Sequence, residues 1–94
     1  MGLRGVEQKD FMQWNTLWKL YQEFYQVSLK EELSTLTFER LLNKSEPMEC
    51  FVFEDGEKIV GFVHFIFHRS TWSERDSCYL QDLFVSPNCR SKGI

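Results

Sequence analysis

Residues 82–94 read Asp-Leu-Phe-Val-Ser-Pro-Asn-Cys-Arg-Ser-Lys-Gly-Ile, which is the most informative pattern in the chain. Its beginning completes a β-rich run, residues 78–85, that ends at Ser86-Pro87. The loop that follows combines basic residues with a glycine. Such a loop after a strand suits phosphate binding, because small residues let backbone amides approach an anion. An ordinary strand exit followed by a tail accounts for the same local pattern equally well.

Two further β-rich runs, residues 48–54 and 58–67, lie upstream and flank Asp55-Gly56. An Asp-Gly turn between such runs predicts an antiparallel hairpin. The second run is apolar on both faces, so we expect an interior strand. A short segment near the start of the chain, residues 3–7, is predicted to pair as an edge strand.

The part of the chain between these strands shows helical periodicity. Asp10 and Gln13 predict a capping box that starts a first helix. Bulky residues then recur at three- and four-residue spacing on one side of this helix: Phe11, Trp14, Leu17, Trp18, Tyr21, Phe24 and Tyr25. The opposite, polar side is predicted to hold Gln13, Asn15, Lys19, Gln22 and Glu23.

A second, shorter helix is predicted to follow a cap at Thr35 or Thr37, after a polar loop at residues 29–34, and Pro47 limits its extent. The predicted order of elements is therefore β-α-α-β-β-β. This order indicates an α+β fold with a mostly antiparallel sheet and two helices.

Length and composition exclude several classes of protein. Ninety-four residues indicate one domain at most. Eleven basic against fourteen acidic residues give a net charge of −3, which argues against a nucleic-acid-binding module. The longest apolar run, residues 59–67, is too short to span a membrane, and no secretory signal opens the chain, so a cytoplasmic location is expected. Three cysteines without a C-x-x-C spacing suggest neither a disulfide framework nor a zinc site.

The stretch at residues 82–94 resembles the signature of the GNAT superfamily of N-acetyltransferases. That signature is a strand of the form acidic-Leu-x-Val, then Pro, then Arg-x-x-Gly-x-Gly/Ala. Asp82-Leu83-Phe84-Val85, Pro87 and Arg90-Ser91-Lys92-Gly93-Ile94 match it in order, without its final small residue. The resemblance covers residues 1–94 and implies the amino-terminal half of a GNAT domain, cut at the pyrophosphate loop. The carboxy-terminal half would be absent and the shortened chain inactive.

Three segments resemble the histone- and polyamine-acetyltransferase branch of this superfamily, next to the diamine acetyltransferases: residues 18–28, 68–72 and 79–85. The resemblance implies acetyl-CoA as cofactor and a cationic primary amine as acceptor. A polyamine, a lysine side chain and a small amino acid all fit that acceptor.

The resemblance also implies roles for individual residues. The pantetheine arm would pair with the backbone of Leu83, Phe84 and Val85, and an amide near Phe84 would receive the developing oxyanion. The pyrophosphate would lie on the loop formed by Arg90, Ser91, Lys92, Gly93 and Ile94.

The general base is where this sequence departs from its relatives. Diamine acetyltransferases carry a Glu at the position of Gln81, and an amide cannot accept a proton. Asp82 is the neighbouring carboxylate, but it points to the opposite face of a regular strand unless a bulge brings it round. Asp82 acting through a water molecule is the candidate base.

Acceptor binding is expected near four other residues. Tyr25, Glu31 and Glu32 fall in the predicted loop between the helices, where an acidic rim would attract a cationic amine. Trp72 lies in the loop before the last strand and could stack on a cation. A charged, solvated loop explains the acidic pair equally well, and Trp72 could equally cover the sheet edge.

His64, His68 and Cys78 allow a metal site to be drawn, but the spacing along a strand favours packed or hydrogen-bonded histidines. An alternative of another class is a non-catalytic module that self-associates, as a homodimer, through an exposed sheet edge and the aromatic helix.

Overall fold

A computed structural model of the chain describes residues 2–87. Its elements are β1 (Gly2–Gly5), a short 3-10 helix (Gln8–Asp10), α1 (Phe11–Phe24), α2 (Glu31–Leu42), β2 (Met48–Asp55), β3 (Lys58–His68) and β4 (Ser77–Val85). The predicted α+β class and the order β-α-α-β-β-β are confirmed. The predicted phosphate loop, residues 90–94, lies outside the described residues.

The four strands form one antiparallel sheet in the order β1-β2-β3-β4. β3 is thus an interior strand and β1 an edge strand, as predicted. The hairpin between β2 and β3 turns at Gly56, whose φ of 67° lies in the left-handed region that glycine adopts without steric cost.

The helices and the sheet share one hydrophobic core, in which α1 packs against β3 and α2 against β2. Trp14 of α1 and Phe62 of β3 are completely buried, and the ring of Phe38 of α2 is tilted against that of Trp14 at a centroid distance of 5.0 Å. Burial of a large side chain contributes about 1.5–3 kcal/mol, so these aromatic residues account for a large share of the stability. The aromatic stripe ends early, because Phe24 and Tyr25 are largely exposed.

The predicted capping box at Asp10 and Gln13 is wrong. The Asp10 carboxylate accepts hydrogen bonds from both terminal nitrogens of Arg4, at 2.8 and 2.9 Å, and from the backbone N–H of Glu7 at 2.8 Å. Gln13 instead fastens α1 to the hairpin, since its Oε1 accepts from the N–H of Ile59 at 2.8 Å. A cationic partner out-competes the helix amides for the carboxylate.

The second helix begins at Glu31, earlier than the predicted cap at Thr35 or Thr37. Buried residues at Ser34, Phe38 and Leu41 continue the helical spacing toward the amino terminus. Glu31 and Glu32 occupy the first turn, where negative charge is favoured by the helix dipole. The polar loop predicted at residues 29–34 is therefore mostly helix.

Gln22 was predicted on the polar side of α1, but it is buried. Its Oε1 accepts a hydrogen bond from the N–H of Leu29 at 2.8 Å, and its backbone carbonyl accepts one from Val27 at 2.9 Å. The chain reverses direction between Gln22 and Val27, at Gln26, whose φ is 57°. Gln22 is buried because it organises the turn that follows α1.

Candidate functional site

A pocket of about 370 Å³ lies between the carboxy-terminal end of α1, the turn after it and β4. Its wall combines aromatic, aliphatic and amide side chains with one carboxylate. The lining residues are Trp18, Tyr21, Gln22, Tyr25, Val27, Leu29, Gln81 and Asp82. Asp82 is the one formally charged residue in this lining within the described part of the chain.

A β-bulge on β4 decides which residues reach the pocket. His64 of β3 pairs with Asp82 and the next residue, Phe65, pairs with Leu80, so Gln81 is an extra residue on β4. In a regular strand Gln81 and Asp82 would face opposite sides of the sheet. The bulge brings both residues into the pocket wall.

The Asp82 carboxylate receives two hydrogen bonds from the protein. The Tyr21 hydroxyl donates to Oδ1 at 2.9 Å, and Nδ1 of His64 lies 2.9 Å from Oδ2. The side chain of Asp82 is 14% exposed and that of His64 is 5% exposed. Asp82 is thus fixed in position at the boundary between the core and the pocket.

Trp14 determines which nitrogen of His64 carries the hydrogen. Nε1 of the Trp14 indole lies 3.0 Å from Nε2 of His64. An indole nitrogen can only donate a hydrogen bond. Nε2 must therefore be the acceptor, and the hydrogen resides on Nδ1, which donates to Asp82. The prediction that His64 is a hydrogen-bonded histidine is confirmed.

Tyr21 remains protonated in this arrangement. Burial, followed by its hydrogen bond to Asp82, raises the pKa of Tyr21 well above its usual range. Both partners of Asp82 are therefore neutral hydrogen-bond donors. Among residues 2–87, no lysine or arginine forms an ion pair with Asp82.

Two nitrogen donors in residues of the pocket wall have no partner among the described residues: Nε1 of Trp18 and Nε2 of Gln22. Trp18 and Gln22 are one helical turn apart on α1, so their side chains are neighbours. Trp18 and Gln22 thus each contribute a buried, unpaired N–H group to the part of α1 that lines the pocket.

The predicted acceptor residues are not all brought together. Tyr25 lines the pocket, but Glu31, Glu32 and Trp72 are absent from its wall. Glu31 forms an ion pair with Lys19, and its pKa is lowered by that hydrogen bond. Trp72 is 96% exposed in the loop before β4.

The predicted cofactor residues divide into a described and an undescribed group. Leu83, Phe84 and Val85 lie on β4, which is opposite β1 at the other edge of the described sheet. Leu83 is 52% exposed, whereas Phe84 is buried with its ring 5.8 Å from that of Tyr21. Arg90, Ser91, Lys92, Gly93 and Ile94 lie outside the described residues.

Tyr21, Trp14 and Gln22 are the site residues that sequence reasoning missed. The first two belong to a stripe whose spacing predicts core packing, and nothing in that spacing marks the polar end of an aromatic ring. A buried amide such as Gln22 has no periodic signal at all.

Residues 2–87 contain neither a cluster of metal ligands nor a helix that could span a membrane. No group of three or more His, Cys, Asp or Glu side chains in this range is arranged to hold a metal ion. No helix in the same range has the length and apolar character needed to cross a bilayer.

Comparison with known proteins identifies relatives. Residues 14–94 match the family model described as Acetyltransferase (GNAT) family. The D-amino-acid N-acetyltransferase HPA3 of Saccharomyces cerevisiae is 34% identical over 95 residues, which covers 98% of this chain and 58% of the yeast enzyme. The chain therefore spans less than two thirds of the length of this curated relative.

Solved structures share the fold. A protein of Clostridium difficile 630 described as a possible acetyltransferase superposes with a TM-score of 0.84 at 19% identity, over 98% of this chain and 61% of that one. AAC(6')-Iy, in complex with the bisubstrate analog CoA-S-monomethyl-acetylneamine, gives a TM-score of 0.79 at 18% identity, over 99% of this chain and 62% of that one. The family model matches most of the length of the chain, and the fold agrees with it. The chain therefore belongs to the GNAT family of acetyltransferases.

Proposed function

We propose that this protein takes part in the transfer of an acetyl group from acetyl-CoA to the primary amine of a small cationic substrate. The observation that carries the proposal is Asp82, a carboxylate in a pocket wall that is held by two neutral donors. Such a carboxylate attracts an ammonium group and keeps lone pairs with which to accept its proton.

The chemistry requires a proton acceptor. A primary alkylammonium has a pKa near ~10.4, so at neutral pH the amine must lose a proton before its lone pair can attack. In the proposed step Asp82 takes this proton through a water molecule. The nitrogen then forms a C–N bond to the thioester carbonyl carbon, and the C–S bond breaks with release of the CoA thiolate. The nitrogen loses its second proton to solvent, the thiolate takes up one proton from solvent, and Asp82 returns the first proton to solvent.

Gln81 has a different task from Asp82. It cannot take up the proton, but its amide can donate to or accept from the substrate. Its presence in the pocket wall beside Asp82 supports a role in binding. Tyr21 and His64 act through Asp82 and are positioning residues.

For acetyl-CoA, we propose the residues implied by the family signature. Leu83, Phe84 and Val85 would hold the pantetheine arm, and residues 90–94 would hold the pyrophosphate. The position of β4 at the margin of the described sheet, with Leu83 half exposed, supports this assignment. Acetyl-CoA supplies the activated acetyl thioester.

One relative supports a choice among the acceptor amines. HPA3 of yeast is named a D-amino-acid N-acetyltransferase, which favours a small amino acid. Membership of the histone- and polyamine-acetyltransferase branch, and with it a polyamine or lysine acceptor, stays a prediction. Self-association into a homodimer also stays a prediction.

A panel of amines tests the proposal. The protein is mixed with acetyl-CoA and, separately, with D-alanine, spermidine or a lysine-containing peptide, and release of the CoA thiol is followed together with the mass of the product. Amine-dependent thiol release with at least one acceptor, together with an N-acetylated product, is the result that the proposed function requires. The same result would contradict the expectation that a chain of this length is inactive, which stays a prediction. Thiol release at the same rate with and without every amine would overturn the proposal.

A further inference from the structure

Two residues of the pocket wall have buried donors without a partner among the described residues. Gln22 is 7% exposed and Trp18 is 9% exposed, and neither Nε2 of Gln22 nor Nε1 of Trp18 has a hydrogen-bond partner among residues 2–87. A buried donor without a partner is destabilising, and most buried polar atoms of folded proteins are paired. Two such donors in residues that line one pocket therefore call for a specific explanation.

The orientation of the Gln22 amide is fixed by the backbone. Its Oε1 accepts the hydrogen bond of the Leu29 N–H at 2.8 Å, so the other end of the amide must be the NH₂ group. Leu29 lies in the same pocket wall. The unpaired atoms are consequently donors, and a ligand atom with a lone pair can satisfy them.

The charge of the pocket restricts the ligand further. Asp82 gives the described lining one negative charge, while Trp18 and Gln22 offer neutral N–H groups. A polyamine carries only N–H donors when it is protonated, so it pairs with Asp82 and leaves both N–H groups unsatisfied. A molecule with an ammonium group and a nearby oxygen acceptor satisfies both parts of the wall.

We propose that Gln22 and Trp18 form the subsite for the carboxylate of an α-amino acid whose ammonium group faces Asp82. This inference rests on the proposed function and names the substrate class of the same pocket. Both nitrogens are covered by neighbouring atoms in the structure, so the proposal requires the two side chains to turn toward the pocket when the ligand binds. Gln22 and Trp18 then determine specificity, without taking part in the chemistry.

Nuclear magnetic resonance of the indole N–H groups tests the contact directly. The three tryptophans report on different surroundings, since Trp14 donates to His64 and Trp72 is fully exposed. On titration with D-alanine we expect the Trp18 indole proton to shift, and the signals of Trp14 and Trp72 to stay in place. Ethylamine, which is D-alanine without its carboxylate, should leave Trp18 nearly unchanged. A Trp18 signal that ignores D-alanine, or moves equally with both ligands, contradicts the proposal.

Gln22→Glu tests the donor of Gln22, because it removes the NH₂ group and keeps the acceptor. The substitution keeps an oxygen for the Leu29 N–H and replaces the NH₂ group by a second oxygen. We expect D-alanine to bind the wild-type protein about 10–100-fold more tightly than ethylamine, from hydrogen bonds to a charged group. Gln22→Glu should remove most of this preference, while ethylamine binds at least as well as before because negative charge is added.

Gln13→Glu is the matched control on the same helix. Gln13 also accepts a backbone N–H with Oε1 and donates with Nε2, to the Glu57 carbonyl at 3.3 Å, but it lies outside the pocket wall. Gln13→Glu should keep the preference for D-alanine. Equal effects of the two substitutions, or unchanged D-alanine binding in Gln22→Glu, would overturn the inference.

The binding measurements do not depend on catalysis, so they test the subsite separately from the proposed acetyl transfer. Thiol release with amines, without any preference for D-alanine that depends on Gln22, contradicts the inference and leaves the proposed function standing. Gln22-dependent binding of D-alanine without any acetyl transfer supports the subsite and contradicts the proposed function.

Discussion

Asp10 and Asp82 are two buried or nearly buried carboxylates that are held in opposite ways. Asp10 accepts two hydrogen bonds from the Arg4 guanidinium, which also reaches Glu54 at 2.9 Å. Asp82 is held by a hydroxyl and a neutral imidazole. The negative charge of Asp10 is thus compensated within the fold, and that of Asp82 is not.

The difference separates a structural carboxylate from a functional one. A charge that is already paired with a guanidinium has little to gain from a ligand. A charge that is stabilised only by neutral donors keeps its attraction for an external cation. We therefore expect substitution of Asp10 to change stability, and substitution of Asp82 to change activity.

The largest effect is expected for Asp82→Asn. This substitution keeps the size of the side chain and removes the proton acceptor, so the rate of amine acetylation should fall by roughly 10²–10⁴-fold, the range typical of general-base catalysis. The free energy of unfolding should change by only about 1 kcal/mol, since neutral partners remain. Steady-state kinetics and urea unfolding measure the two quantities. Asp76→Asn, at an exposed loop carboxylate, serves as the control. Wild-type rates in Asp82→Asn would exclude it as the base.

Asp10→Asn should have the reverse profile. The Asp10 side chain is 3% exposed, and the substitution weakens its hydrogen bonds with Arg4 and leaves the guanidinium without that charge. We expect the free energy of unfolding to fall by about 2–3 kcal/mol, because a hydrogen bond with a charged partner is lost. Urea unfolding measures it, and the indole spectrum of the pocket should be unchanged. A loss below 0.5 kcal/mol, on the order of a surface ion pair, would show that Asp10 is not a structural anchor.

A smaller effect on the free energy of unfolding is expected when the pH is lowered. Arg4, through its hydrogen bonds, lowers the pKa of Asp10 below its ordinary value of 3.8. A carboxyl whose pKa is lower in the folded state stabilises the protein above the unfolded pKa, and this contribution is lost as the pH falls through the folded pKa. The stability difference between the wild type and Asp10→Asn should therefore be constant near neutral pH and shrink below about pH 4. Unfolding curves between neutral and acidic pH measure it, and a difference that grows in acid would reverse the assignment.

The smallest effect is expected in the turn after α1, beside the pocket that Asp82 lines. Gln26 adopts a φ of 57°, a conformation that costs a residue with a Cβ about 1 kcal/mol. Gln26→Gly should raise the free energy of unfolding by about 0.5–1 kcal/mol, because relief of strain exceeds the added flexibility of the unfolded chain. Thermal unfolding measures the gain. A destabilised Gln26→Gly would mean that the Gln26 side chain contributes contacts that outweigh the strain.

The fold could be predicted from local patterns, whereas the site could be predicted only in part. The periodicity of hydrophobic residues, the Asp-Gly turn and the family signature identified the strands and both helices. The exceptions arise where a distant partner decides. Asp10 lies in a good capping position, but Arg4 takes its carboxylate. Gln22 has the polarity of a surface residue, but the turn after α1 buries it.

The identity of Asp82 as a candidate was predictable, and its partners were not. The signature names the acidic residue, but the contacts of Tyr21 and His64 join elements far apart in the sequence. Trp14 and Tyr21 have the spacing of core residues, and only their polar atoms connect them to the site. Whether Gln81 and Asp82 share a surface depended on the bulge, which the sequence does not mark.

The bulge at Gln81 makes this position unusual for protein engineering. On a regular strand, each residue is committed to the sheet face that its position dictates. Gln81 has no partner on β3, so its side chain can be exchanged without changing the pairing of Leu80 or Asp82. The acid and base character of the pocket can therefore be tuned at one residue while the sheet stays the same. Gln81→Glu would place a second carboxylate beside Asp82 at little cost to the fold.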